Sequence, residues 1–345
     1  MIFFIMSCSL FQKEDDPPIN PRDYTFRIDT LYSPDGFQNT ITRLWGSSSN
    51  DIYSSSNCST TKGTLWHFDG DEWIPVVLAR SIGGNILSWH KVRDIHGFSS
   101  DNIWAVGVQS NNDIWNPNDT SMIIHFDGEE WNQTDQLLIR GLEVIYGVNE
   151  NDIWAGGFYG YLYHYDGNEW TPDTIPVPEA HDTSNWSNFL AIEGNAENNY
   201  YALYNKNEWL SVLLHFNGVD WEILDEFGRF DHERIWMSPN GSLYSCGFGH
   251  IDKWENDAWS RIFETETYFY SITGTSDSSI FVAGKSDDNS YSSLFHYNGE
   301  DWYEYDSIEL PTSILGFVWS DINKLVLSIA TIDGSTIKSI IYQGS

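Results

Sequence analysis

Short runs in which apolar and polar residues alternate recur along the chain, and polar loops rich in Ser, Asn, Asp and Gly break them. A period of two with such punctuation predicts β-strands. One loop-plus-strand pattern returns six times: WGSSSNDIYS from Trp45, HGFSSDNIWAVG from His96, YGVNENDIWAGG from Tyr146, EGNAENNYYALY from Glu193, WMSPNGSLYSCG from Trp236 and TGTSDSSIFVAG from Thr273. A weaker seventh copy, LGFVWSDINKLVLS, starts at Leu315.

A second pattern follows each of the first six copies: LWHFDGDEW ending at Trp73, IIHFDGEEW at Trp131, LYHYDGNEW at Trp170, LLHFNGVDW at Trp221, DKWENDAW at Trp259 and LFHYNGEDW at Trp302. Asp-Gly or Asn-Gly between β-rich runs is a hairpin signal, and a type I′ turn is expected because its two central residues need positive φ. Each unit therefore reads as four strands, in unit three LEVIYGV, DIWAGG, YLYHYD and EWTPDT. The positions that open successive units, 46, 97, 147, 194, 237, 274 and 316, are spaced by 51, 50, 47, 43, 37 and 42 residues. Unit seven lacks a fourth strand after Gln343-Gly344, and DYTFRIDTLYSPDG at Asp23 aligns with DWYEYDSIELPT at Asp301. Residues Tyr24 to Thr30 are thus expected to supply the missing outer strand, which also removes an open sheet edge.

Units of four strands at this length resemble β-propeller blades. The motif is similar to repeats of bacterial exported propellers with an SSDNIWAVG…HFDGxxW signature, and the resemblance covers nearly the whole chain. It implies an all-β, seven-bladed β-propeller of four-stranded antiparallel blades over residues 23–345, closed by the N-terminal strand. That group carries no shared chemistry. The repeats lack the Trp-Asp of WD40 blades and the Asp-box of sialidases.

Composition agrees with the strand reading: aromatic residues make up 16% of the 345 residues and charged residues only 19%. A net charge of −33 repels a phosphate backbone, so no nucleic-acid partner is expected. The first residues, MIFFIMSCSLF, are too short to span a bilayer. Ile5-Met6-Ser7-Cys8 resembles a bacterial lipobox, which implies lipid on Cys8, a tether through residue 22, membrane attachment by lipid only and an extracytoplasmic place on the outer membrane. Lys13-Glu14-Asp15-Asp16 resembles a surface-export signal of Bacteroidetes lipoproteins. No Lys or Arg precedes the apolar run, so the true start is expected upstream of Met1. Cys58 and Cys246 fall in units that are not neighbours and are not expected to pair.

Five of the ten histidines, His67, His125, His164, His215 and His296, share one repeat position. Equivalent positions in successive blades spread around a ring, whereas zinc ligands converge to about 2 Å from one ion. They are read as packing residues whose ring nitrogens meet backbone. Trp73, Trp131, Trp170, Trp221, Trp259 and Trp302 are read as blade-to-blade packing.

Function in repeat proteins resides where the copies differ. Long connections are expected at one end of the ring: 78–91, 108–121 and 176–188, with shorter ones in units one and four. They carry Trp89, His90, Trp115, His181, Trp186 and Trp209, which are taken as candidate ligand-binding residues. Aromatic rings among Asn, Asp and Ser suit a sugar face and its hydroxyl rim; the alternative is that these rings pin long loops to the disc. Oxygen-bearing residues at 111–113 and 118–119 make Ca²⁺ a candidate ion, without EF-hand spacing. No phosphate loop, nucleophile elbow or zinc-protease motif occurs, and the nine arginines are scattered without a sialidase-like cluster. The leading expectation is a non-catalytic surface scaffold that presents its long-loop face to a protein or envelope partner. A glycan-binding propeller is the alternative, and a carbohydrate-active hydrolase or lyase the least supported.

Overall fold

The structure, a computed structural model, describes residues 19–33, 36–60, 62–86, 89–110, 120–134, 140–178, 180–183, 186–286, 291–306, 308, 310–311 and 316–345, with only the backbone at 89 and 110. Among them regular structure is β, apart from two short 3₁₀ turns at Pro21–Asp23 and Arg80–Ile82. Five sheets have four strands and one has seven, and their strands pair antiparallel in chain order, except that the first strand of the chain joins the last one.

Unit three illustrates the pattern, with strands Leu142–Asn149, Asp152–Gly157, Leu162–Tyr165 and Trp170–Asp173. The second strand is buried almost throughout, because neighbouring sheets cover both of its faces; it can therefore be apolar at successive positions. Outer strands such as Trp221–Gly228 bury their first residue and leave most of the rest partly or fully exposed.

Units five and six merge into the seven-stranded sheet through the 19-residue strand Ala258–Ser276. Its first part pairs with Phe248–Glu255 and its last part with Ser279–Ser286, so one strand is the outer edge of unit five and the inner edge of unit six. At the other junctions these two roles fall to separate strands. The N-terminal strand Phe26–Leu31 pairs antiparallel with Thr336–Gly344, from Phe26 opposite Gly344 to Leu31 opposite Ser339. The last sheet also abuts the first: Ile41 N donates to Ser339 Oγ at 3.0 Å, Ser339 Oγ donates to Asn39 O at 3.2 Å, and Ile337 N donates to Phe37 O at 2.8 Å.

Neighbouring sheets interlock through aromatic rings. Trp131 meets Tyr53 of the preceding unit edge to face at 6.2 Å, Trp170 meets Trp104 at 5.9 Å, and Trp221 meets Trp154 at 5.2 Å. The packing expected of the outer-strand tryptophans is thus present at these three junctions. Cys58 and Cys246 are buried free thiols.

Two local expectations are corrected. Phe68 pairs with Trp73, so the Asp-Gly hairpin encloses four residues, not two. Asp69 Oδ1 accepts from the backbone N of Asp71 and Glu72 at 2.9 and 3.0 Å, and only Gly70 takes positive φ, 100°. Asp127 and Asp166 repeat this side-chain cap, and in all three the accepted N–H bonds hold the carboxyl below its usual range. The two-residue turn with both φ positive occurs instead in unit five, at Asn256 (54°) and Asp257 (59°).

The second correction concerns the repeated histidines. In four of the five, Nε2 meets the side chain that opens the second strand of the same unit, not backbone: His67 with Asp51 at 2.6 Å, His125 with Asn102 at 2.9 Å, His164 with Asp152 at 2.7 Å and His215 with Asn199 at 2.9 Å. Each ring lies over the aromatic residue opposite it in the strand pair, as His67 over Tyr53 at 4.2 Å and His164 over Trp154 at 4.4 Å. The pleat explains this, since directly opposed residues share a face and the partner two positions earlier lies on that face too.

Candidate functional site

The first strand of every unit contributes to one central channel of about 340 Å³, lined by Arg43, Asp94, Tyr146, Glu193, Arg234, Ser271 and Val318 among others. Strands running outward from one axis bring equivalent positions close together only at the innermost strand. Polar side chains there tie each unit to the next: Asp94 Oδ2 accepts from Ile145 N at 3.0 Å, Glu193 Oε2 from Met237 N at 3.4 Å, and Ser271 Oγ from Val318 N at 3.1 Å.

Toward the long-loop end the channel opens into a mouth of about 260 Å³ that carries Arg43, Arg93, Glu143, Glu233, Arg234 and Tyr270. Arg43 Nε stands 3.5 Å from Asp94 Oδ1 and Arg93 Nε 3.3 Å from Glu143 Oε1. Burial raises the Asp94 and Glu143 carboxyls above their usual range, against the pull of these guanidiniums, and pushes Glu193 up to about 8. Burial beside Arg43 lowers Arg234 to about 10, and its Nη1 donates to Glu233 O at 2.6 Å. Three of the nine arginines therefore do cluster, which corrects the scattered reading. The signal was present in the repeat offset: Arg43 and Arg93 stand three and four residues before Gly46 and Gly97, and Arg234 stands three before Met237 at the equivalent position.

Tyr270 lines the mouth and also a second cavity, a groove of about 580 Å³ formed with Phe230, Asp231, Phe248, Tyr268, Lys285 and Ser286. Phe230 and Phe248 are each 52% exposed. Tyr268 stands at the centre, 5.7 Å from the Phe248 ring, 6.4 Å from Phe230 and 4.6 Å from Tyr270, and its hydroxyl donates to Glu233 Oε1. Lys285 Nζ lies 5.5 Å over the Tyr270 ring. Phe230 and Asp231 come from the connection before unit five, and the others from strands Phe248–Glu255, Ala258–Ser276 and Ser279–Ser286. Sequence reasoning passed over them because it followed loop length, and the 37-residue spacing after position 237 is the shortest.

Of the six residues singled out from sequence, the side chains of His90, His181, Trp186 and Trp209 are described. Trp209 is 76% exposed, and its carbonyl accepts from the backbone N of Arg229, the residue before Phe230, at 2.9 Å. Trp186 is 47% exposed and meets Phe158 at 4.9 Å, while His181 is exposed, has φ 71°, and lies 4.8 Å from Tyr161; both pin the 176–188 segment to unit three. His90 is buried within strand Trp89–Ser99, opposite Gln109, because that strand starts before the expected loop ends. Only the backbone of Trp89 is described, as the first residue of that strand. Trp115, the 111–119 cation candidates and Cys8 lie outside the described residues.

No family model and no curated protein matches the chain. Among solved structures, YCF48 bound to D1 peptide superposes with a TM-score of 0.61 at 14% identity, over 94% of this chain and 97% of that one. YCF48 from Cyanidioschyzon merolae gives 0.60 at 11%, over 92% and 98%. The extracellular domain of the hybrid two component system BT4673 from B. thetaiotaomicron gives 0.58 at 11%, over 92% of this chain and 40% of that one. At such identities the likeness speaks for architecture alone, and with the radial antiparallel sheets it makes this protein a β-propeller.

Proposed function

We propose that the protein is a non-catalytic binding propeller that captures an extended polypeptide segment of an envelope protein on its long-loop face. The observation that carries this reading is Tyr270, which joins an exposed aromatic groove to an arginine-bearing channel mouth. Aromatic rings offer rigid apolar anchors for alternate side chains of a peptide, and the charged mouth offers orientation and register. That a propeller of the same architecture is recorded with a D1 peptide supports a peptide as the ligand class. Seven inner strands about one axis and the pairing of Phe26–Leu31 with the last sheet support seven blades in a single domain from residue 23 onward. The lipobox-like Ile5–Cys8 supports a lipid anchor on the bacterial surface, with residues 1–22 as leader and tether. No helix among the described residues is long and apolar enough to cross a membrane.

The test is selection from a random peptide library on the immobilised full chain, with a glycan array in parallel. Enriched peptides that lose at least about tenfold in affinity to Tyr270→Ala and Phe248→Ala, with folding retained, support the proposal; a loss of this size corresponds to one anchor of about 1.4 kcal/mol. Saturable binding to a sugar class with no peptide enriched would transfer the groove to the glycan reading. Peptides that bind both variants like the parent would remove the groove from the site.

A further inference from the structure

Among the described residues one grouping of three metal-ligand side chains stands close together, and it lies away from both the channel and the repeated histidines. It consists of His232, His250 and Asp252, all buried, with one ligand atom from each within 4.8 Å of the others. The two histidines are outside the repeat position, which in unit five is held by Lys253, opposite Tyr244. His250 and Asp252 alternate along strand Phe248–Glu255 and so point to the same face of the sheet. His232 reaches that face from the connection before strand Arg234–Met237.

We infer that His232, His250 and Asp252 form a binding site for a divalent transition-metal ion of the Zn²⁺ class, with a water or an incoming ligand as the fourth donor. Two imidazoles and one carboxylate make a borderline-soft donor set that suits Zn²⁺ and is poorly matched to Ca²⁺ or Mg²⁺. His250 Nε2 and Asp252 Oδ2 are 3.3 Å apart, about the edge of a tetrahedron whose ligands lie about 2.0–2.1 Å from the metal. The His232 ligand atom lies within 4.8 Å of those of both partners.

An outer shell is already in place. Ser245 Oγ lies 2.7 Å from His232 Nδ1, and Arg261 Nε donates to Asp252 Oδ1 at 3.1 Å. Each partner holds one atom of its ligand, as outer-shell groups do when they orient metal ligands. Phe227 and Trp259 flank the same ring at 4.5 and 4.4 Å and restrict its rotation.

The experiment is elemental analysis and calorimetric titration of the full chain, stripped with chelator and reloaded with Zn²⁺, with Co²⁺ as a spectroscopic probe. One equivalent of Zn²⁺ per chain, a rise in melting temperature with Zn²⁺ and a Co²⁺ spectrum of tetrahedral intensity are expected. In His250→Gln and Asp252→Asn the stoichiometry should fall to zero while the stripped variants still melt cooperatively. If one replacement unfolds the chain, the other carries the test. Should the parent bind no Zn²⁺ above background, or should a folded variant still take up one equivalent, the inference is overturned.

Discussion

Trp319 of the last unit lies across Gly46 of the first, so close that a Cβ on Gly46 would stand 2.8 Å from the indole Cζ2. Trp45 and Gly97 repeat the relationship one unit on, where the nearest approach is 2.6 Å. Gly46→Ala must therefore displace the ring or the strand, and overpacking of this kind costs about 1–3 kcal/mol. Gly316 lies earlier in the first strand of the last unit, opposite Ile329, where the nearest neighbour of an added Cβ would be Ala283 Cβ at 3.8 Å, and Gly316→Ala should be near neutral. Urea denaturation midpoints of the two variants check the contrast. Equal midpoints would mean that the first and last sheets do not abut as described.

His296 lacks the partner that its four equivalents have. Ser279 stands where the others carry Asp or Asn, and neither ring nitrogen of His296 has a hydrogen-bond partner among the described residues. Burial, with Arg22 nearby, lowers its pKa to about 4. A base whose folded pKa lies below its unfolded value of about 6.5 leaves stability intact above pH 6.5 and erodes it as pH falls toward 4. Ser279→Asp should supply the missing acceptor, raise the His296 pKa and stabilise the fold by about 1 kcal/mol. An NMR titration of the imidazole combined with melts at pH 5 and 7 reads both effects; an unmoved pKa would refute the pairing.

Glu193 gives the opposite pH dependence. With its folded pKa pushed up to about 8, the folded state holds a proton that the unfolded state releases near 4.5, so this group's contribution to stability declines as pH rises from 4.5 to 8. Glu193→Gln keeps an acceptor for Met237 N without the charge. Its stability relative to the parent should be near zero at pH 4 and grow to its full value above pH 8. A difference that is flat across that range would show that Glu193 ionises freely in the channel.

Removal of the N-terminal strand should expose an edge. Deletion of residues 1–31 leaves Thr336–Gly344 without its outer neighbour and strips Leu31 and Tyr24 from the core. The melting temperature should drop by several degrees and the tendency to aggregate should rise, as open strand edges template association. Calorimetry and light scattering on the truncated chain decide the matter, and a melt identical to the parent would contradict the pairing.

The repeat, its four strands and the N-terminal strand were legible in the sequence because they depend on local alternation and on motifs that recur at intervals of 37 to 51 residues. The placement of Trp131, Trp170 and Trp221 followed from the same regularity. The hairpin loops were misread for a reason equally local: Asp-Gly is compatible with more than one loop length, and the pairing of Phe68 with Trp73 selects the four-residue form. What only the tertiary structure decided is which residues meet across units. Arg43, Arg93 and Arg234 are separated by 50 and 141 residues and converge because inner strands share an axis. Phe230, Phe248, Tyr268 and Tyr270 form a groove because two connections and a 19-residue strand cross at one junction. Periodicity along a chain records which face of a strand is buried, whereas a site assembled at an axis or a junction is a sum of distances between strands, and those are set by how the sheets pack against one another.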